Sequence, residues 1–105
     1  MVKQNIYEEA LSLKGEMSQI DITIEEAAEL IQRLIKYKRI NEGYDKMLAI
    51  ENITEEMVDT LIMIEQMIVT FDVKKKFDEI KIKKLERLRM RLDACKEGKK
   101  WAKSM

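Results

Sequence analysis

A chain of 105 residues with no proline and only three glycines has almost nothing to interrupt a helix, and this limits its fold more than any other feature. Its apolar residues recur at helical spacing, and Ala, Leu, Met, Glu, Lys, Gln and Arg, which lose little freedom in a helix, predominate. At this length the chain can bury one hydrophobic core. One all-α domain over residues 1–105 is therefore expected, with its core within about 5–92 and a basic tail over 97–105.

Periodicity divides the chain into four helices. The first is predicted over about 2–14, with Ile6, Ala10 and Leu13 on one stripe and Gly15 ending it. Ser18 is the expected cap of a second helix, which carries Ile20, Ile24, Ala27, Ile31, Leu34 and Ile35 on one face and fades near Ile40. Asn41 to Asp45 reads as a loop, residues 46–51 are ambiguous and could add a short turn of helix, and a third helix is expected from Asn52 or Thr54 to about Thr70. Apolar residues surround most of that third helix, which predicts burial on several sides and a dimer at least. Glu65 lies within its apolar stripe, where a buried ion pair or an interface across a dimer would account for it. The fourth helix, about 74–96, sets Phe77, Ile80, Leu85, Leu88 and Leu92 among dense Lys and Arg, and Gly98 stops it before Trp101. Short connections between four helices predict an antiparallel four-helix bundle.

Several chemistries are excluded early. There is no histidine, which removes His-based triads, His-containing zinc sites and the usual acid–base shuttle. Cys95 is the only cysteine, so no intramolecular disulfide forms, and a small packing role in a reducing compartment is expected. Residues 1–5 lack signal-peptide character and no apolar run is long enough to span a bilayer, so a cytoplasmic protein without membrane contact is expected.

Zero net charge conceals a strong asymmetry. Residues 1–73 hold 7 Lys and Arg against 15 Asp and Glu, a net −8, whereas residues 74–105 hold 13 against 5, a net +8. Two oppositely charged regions can attract one another, hold a metal and a polyphosphate side by side, or supply a nucleic-acid footprint. The basic residues of the fourth helix spread around it and interleave with its apolar stripe. The acidic remainder would repel a long polyanion, so nucleic-acid binding is disfavoured.

The acids form a repeat. Glu25-Glu26-Ala27-Ala28-Glu29 reads EExxE, and Glu55-Glu56-Met57-Val58-Asp59 reads EExxD. On a helix, residues three apart share a face, so Glu26 with Glu29 and Glu56 with Asp59 each form a two-pronged clamp. If the helices run antiparallel, four carboxylates converge, repelling by several kcal/mol at an effective dielectric of about 20. Oxygen-only ligands select a hard cation such as Mg²⁺, with Mn²⁺ as a substitute. The plain alternative is a solvated acidic face, with Glu29 paired to Arg33 one turn on. Met63 and Met67 share the face of Glu56 and Asp59, which favours a partnered cluster over a merely solvated one. Glu42 and Asp45 repeat the ExxD spacing but fall in the expected loop.

With these residues in place, the segment from Gln19 to Asp59 resembles the MazG-like, all-α nucleoside triphosphate pyrophosphohydrolases, whose pattern is EExxE, a spacer, then ExxD. The resemblance covers about residues 5–92, including the basic element Lys84-Leu85-Glu86-Arg87. It implies Mg²⁺-dependent hydrolysis of an NTP or dNTP to the monophosphate and pyrophosphate. It further implies that Glu26, Glu29, Glu56 and Asp59 ligate the metal. Glu25 would match the first acid of the motif, either binding metal or orienting water. Lys84 and Arg87 would neutralise phosphate charge, with Lys36, Lys38 and Arg39 as weaker candidates. Such proteins are dimers, some of them tetramers, with active sites near subunit contacts. The competing expectation is a non-enzymatic helical dimerisation or regulatory module, which would not need Mg²⁺.

Overall fold

The computed structural model describes residues 3–40 and 44–98, and every element among them is a helix. These are α1 (Lys3–Lys14), α2 (Glu16–Lys38), α3 (Tyr44–Thr70) and α4 (Lys74–Lys96). The chain divides into two compact units, residues 1–72 and 73–105. The charge asymmetry divides at the same place.

In the first unit, α1 and α2 meet at a single residue. Gly15 adopts φ 88°, its N–H donates to the Leu11 carbonyl at 2.9 Å, and its own carbonyl accepts from Gln19 at 3.2 Å. A side chain would strain that left-handed conformation, so glycine both closes α1 and opens α2. Ser18 is consequently inside the first turn of α2 rather than at its cap. α3 likewise begins at Tyr44, well before the expected Asn52 or Thr54. Asp45 in its first turn suits the positive helix end. Thr54 is accommodated in the interior by donating its hydroxyl to the Ile50 carbonyl at 2.7 Å. Of the other ExxD pair, Asp45 is exposed in that first turn, and Glu42 lies outside the described residues.

The direction of α3 against α2 follows from cross-helix contacts. Thr60 donates to the Glu26 carbonyl at 3.2 Å, Arg33 approaches Glu56 at 3.8 Å, and the Lys46 ammonium stands 5.4 Å from the Tyr37 ring centroid. As α2 advances its partners on α3 recede, so the two helices are antiparallel. Their seam alternates steps of four and three residues. On α3 it runs through Ala49, Ile53, Glu56, Thr60, Met63 and Met67, and on α2 through Gln19, Thr23, Glu26, Leu30, Arg33 and Tyr37.

That seam corrects the expected core. The predicted apolar stripe of α2 turns away from α3, leaving Ile24, Ile31, Leu34 and Ile35 exposed. α3 is buried along one side rather than several, with Met57, Val58, Leu61 and Ile62 exposed. On α1, Tyr7 is buried while Ile6 and Leu13 are exposed. Helical periodicity reveals where an apolar stripe lies, but the neighbour that covers it is a separate matter.

A polar network fastens α1 to α3. The buried Gln66 amide donates to the Tyr7 carbonyl at 2.9 Å and to the Thr70 hydroxyl at 3.3 Å. The Tyr7 hydroxyl donates to the Glu65 carboxylate, which explains an acid within an apolar stripe. Burial, this hydrogen bond and the Glu65 charge together push the Tyr7 hydroxyl up to about 12. Tyr7→Phe should cost about 1.5–3 kcal/mol, as expected for a hydrogen bond to a charged group, read as a lower urea midpoint at an unchanged slope.

α4 makes up the second unit among the described residues. Asp72, at φ 54°, and Val73 form the turn before it, and Gly98, at φ 78°, follows its end. Its surface is laced by Lys74–Asp78 at 2.6 Å and Arg89–Asp93 at 2.9 Å, both one-turn pairs. An open groove on one face is lined by Phe77, Ile80, Leu85 and Leu88 together with Lys81, Lys84, Arg87 and Arg91. Cys95 is exposed, contrary to the packing role expected of it. No helix among the described residues is long and apolar enough to cross a membrane.

Candidate metal centre

The polar section of the α2–α3 seam is where the predicted acids meet. Glu26 and Glu29 share one face of α2 because three residues nearly complete a turn. Glu56 occupies the matching level of α3, one turn before the Thr60 that holds the Glu26 backbone. One carboxylate oxygen from each of Glu26, Glu29 and Glu56 lies within 4.8 Å of the others.

Glu56 is the centre of the cluster. It is 7 % exposed, and its Oε2 is buried with no hydrogen-bond partner. A carboxylate oxygen removed from water with nothing to bond costs free energy, so some compensating group or proton is called for. Arg33 offers only partial relief. Its guanidinium is 3.8 Å from Glu56 Oε1, beyond hydrogen-bond range, and its side chain is 40 % exposed.

The electrostatics match this crowding. Burial, a hydrogen bond with Glu29, and the charges of Glu56, Glu29 and Asp59 push Glu26 up to about 7. Glu56 is also raised, first by burial, then by Glu29 and Asp59, with Arg33 opposing and Glu55 adding a little. Carboxyls so disposed share protons or a cation at neutral pH. The donors are all hard oxygens at chelating separation, which fits a hard divalent ion and not a soft one.

Of the other sequence candidates, Asp59 is exposed and outside the three-oxygen group, though close enough for its charge to act on Glu26 and Glu56. Glu25 is exposed and does not join them. Lys84 and Arg87 are on α4 in the second unit, where both border its groove. Arg33 entered the sequence reading only in the plain alternative, as a one-turn partner of Glu29. Its pairing is across to α3 rather than along α2 to Glu29. Its place seven residues after Glu26, on the same helical face, was the available signal. Compared with known protein families, curated proteins and solved structures, the chain matches none.

Proposed function

We propose that this protein is a Mg²⁺-dependent nucleoside triphosphate pyrophosphohydrolase of the MazG-like kind, converting an NTP or dNTP to the monophosphate and pyrophosphate. The observation that carries this is Glu56, whose buried Oε2 has no hydrogen-bond partner and whose carboxylate groups with those of Glu26 and Glu29 across an antiparallel helix pair. Glu26, Glu29 and Glu56 would hold the metal, with Asp59 at its edge. The ion would supply charge neutralisation for a triphosphate and polarise a phosphoryl oxygen. The chain's own residues keep the carboxylates in register. Thr60 pins the Glu26 turn of α2, and the half-buried Leu30 and buried Met63 flank the acids on the seam. Glu25, exposed beside Glu26, is the carboxylate free to orient the attacking water. The resemblance assigns phosphate binding to Lys84 and Arg87, which lie on α4 in the second unit.

The protein works as a homodimer, within an antiparallel helical bundle. Support comes from the stripe of Ile24, Ile31, Leu34 and Ile35 on α2 and that of Val58, Leu61 and Ile62 on α3, all exposed in the single chain. Sedimentation at micromolar concentration should give a dimer or tetramer, and a stable monomer would contradict it. The same stripes also favour the alternative, a helical interaction module without catalysis. Purified protein incubated with a panel of NTPs and dNTPs separates the two. Mg²⁺-dependent release of pyrophosphate is expected, whereas orthophosphate release, or no turnover, refutes the enzyme.

A further inference from the structure

We propose that Arg33 is the anion-recognising residue of the acid cluster, and that its guanidinium stands in for the cation while the metal is absent. This rests on the metal-centre reading and extends it to the ligand that accompanies the metal, an oxyanion of the polyphosphate class. Arg33 shares the face of α2 that carries Glu26 and Glu29, one turn beyond the second and two beyond the first. At 3.8 Å from Glu56 Oε1 it is held by charge without a formed hydrogen bond, and the neighbouring Oε2 stays unpartnered. A guanidinium committed to a structural pair closes to a bidentate grip on its carboxylate. This one does not, and its 40 % exposure leaves it free to swing toward solvent. A divalent ion among the three carboxylates takes over the compensation of Glu56 and repels the guanidinium. Arg33 then keeps a planar fork of donors beside the metal, matched to the oxygens of a metal-bound phosphate chain.

Two roles for Arg33 make opposite demands on metal affinity. As a stand-in it competes with the ion, so its removal tightens metal binding. As a structural brace it holds the cluster together, so its removal weakens metal binding. Calorimetric titration of full-length wild type, Arg33→Gln and Arg33→Lys with Mn²⁺ alone, then with pyrophosphate at saturating Mn²⁺, separates them. Arg33→Gln should bind Mn²⁺ more tightly and pyrophosphate about tenfold more weakly, the loss of one charge-assisted hydrogen bond. Arg33→Lys, which keeps charge but not the fork, should fall between on pyrophosphate. Weaker or unchanged Mn²⁺ binding by Arg33→Gln, or unchanged pyrophosphate binding, overturns the proposal. If Arg33→Gln does not fold, Arg33→Lys decides alone, with weaker pyrophosphate binding supporting the proposal and unchanged binding overturning it. A wild-type protein that takes up no Mn²⁺ overturns the metal centre itself, a result distinct from Mn²⁺ uptake that Arg33 does not influence.

Discussion

Glu56→Gln should reduce pyrophosphohydrolase activity by more than about 100-fold, since loss even of a group supporting a metal ligand costs 10–100-fold in affinity. Thermal stability without metal should meanwhile hold or rise. The amide has nearly the shape of the carboxylate, removes one of the mutually repelling charges, and places a donor where Oε2 has no partner. Arg33 loses its partner, but a pair at 3.8 Å with a 40 % exposed guanidinium contributes little. Glu29→Gln should behave the same way. Asp59→Asn should impair activity less severely than either, because Asp59 acts on the cluster by charge from an exposed position. Glu42→Gln and Asp45→Asn serve as the control, since they repeat the ExxD spacing and Asp45 is exposed in the first turn of α3. Full activity in Glu56→Gln and Glu29→Gln would mean that these acids hold no catalytic metal. Loss of stability in both without metal would mean that they are structural.

The acid cluster was legible in sequence because it depends on helical arithmetic alone. Once Glu26 and Glu29 are on a helix they share a face, and an antiparallel neighbour brings Glu56 to them. Gly15 and Gly98 were legible for a related reason, since both adopt the positive φ that glycine tolerates best. The α2–α3 seam was not legible. Ile24, Ile31, Leu34 and Ile35 form the more hydrophobic face of α2, yet Gln19, Thr23, Glu26, Leu30, Arg33 and Tyr37 meet α3. Amphipathicity assigns the apolar face to some burial event but cannot distinguish one within the chain from one between chains. The Met63 that shares the face of Glu56 signalled its burial, and beside it Glu56 meets Glu26 and Glu29, with Arg33 at 3.8 Å. The early start of α3 at Tyr44 was missed because residues 46–51 carry no clear periodic signal, whereas the structure buries Ala49 on the seam.

Metal-free protein should be most stable in mild acid and lose stability as pH rises toward 8, the reverse of ordinary acid denaturation. Glu26 titrates at about 7 in the fold against an ordinary value of 4.5, so the folded protein retains a proton that the unfolded chain has released. Its contribution is fully present below about 4.5 and disappears as pH passes through about 7. Glu56 is raised as well and acts in the same direction. Burial is the largest cause of both shifts; Glu29, Glu56 and Asp59 add to it at Glu26, and Glu29, Asp59 and Glu55 add to it at Glu56, where Arg33 opposes. Mg²⁺ should cancel the decline. It binds the deprotonated carboxylates, so its stabilising effect grows over the same interval in which proton retention fails. The measurement is the melting temperature from pH 5 to 8, with chelator and with millimolar Mg²⁺. The two curves should coincide near pH 5 and separate as pH rises, with the Mg²⁺ curve above. Parallel curves, or a metal-free melting temperature that climbs through pH 7, would show that these carboxylates are neither crowded nor poised for a cation.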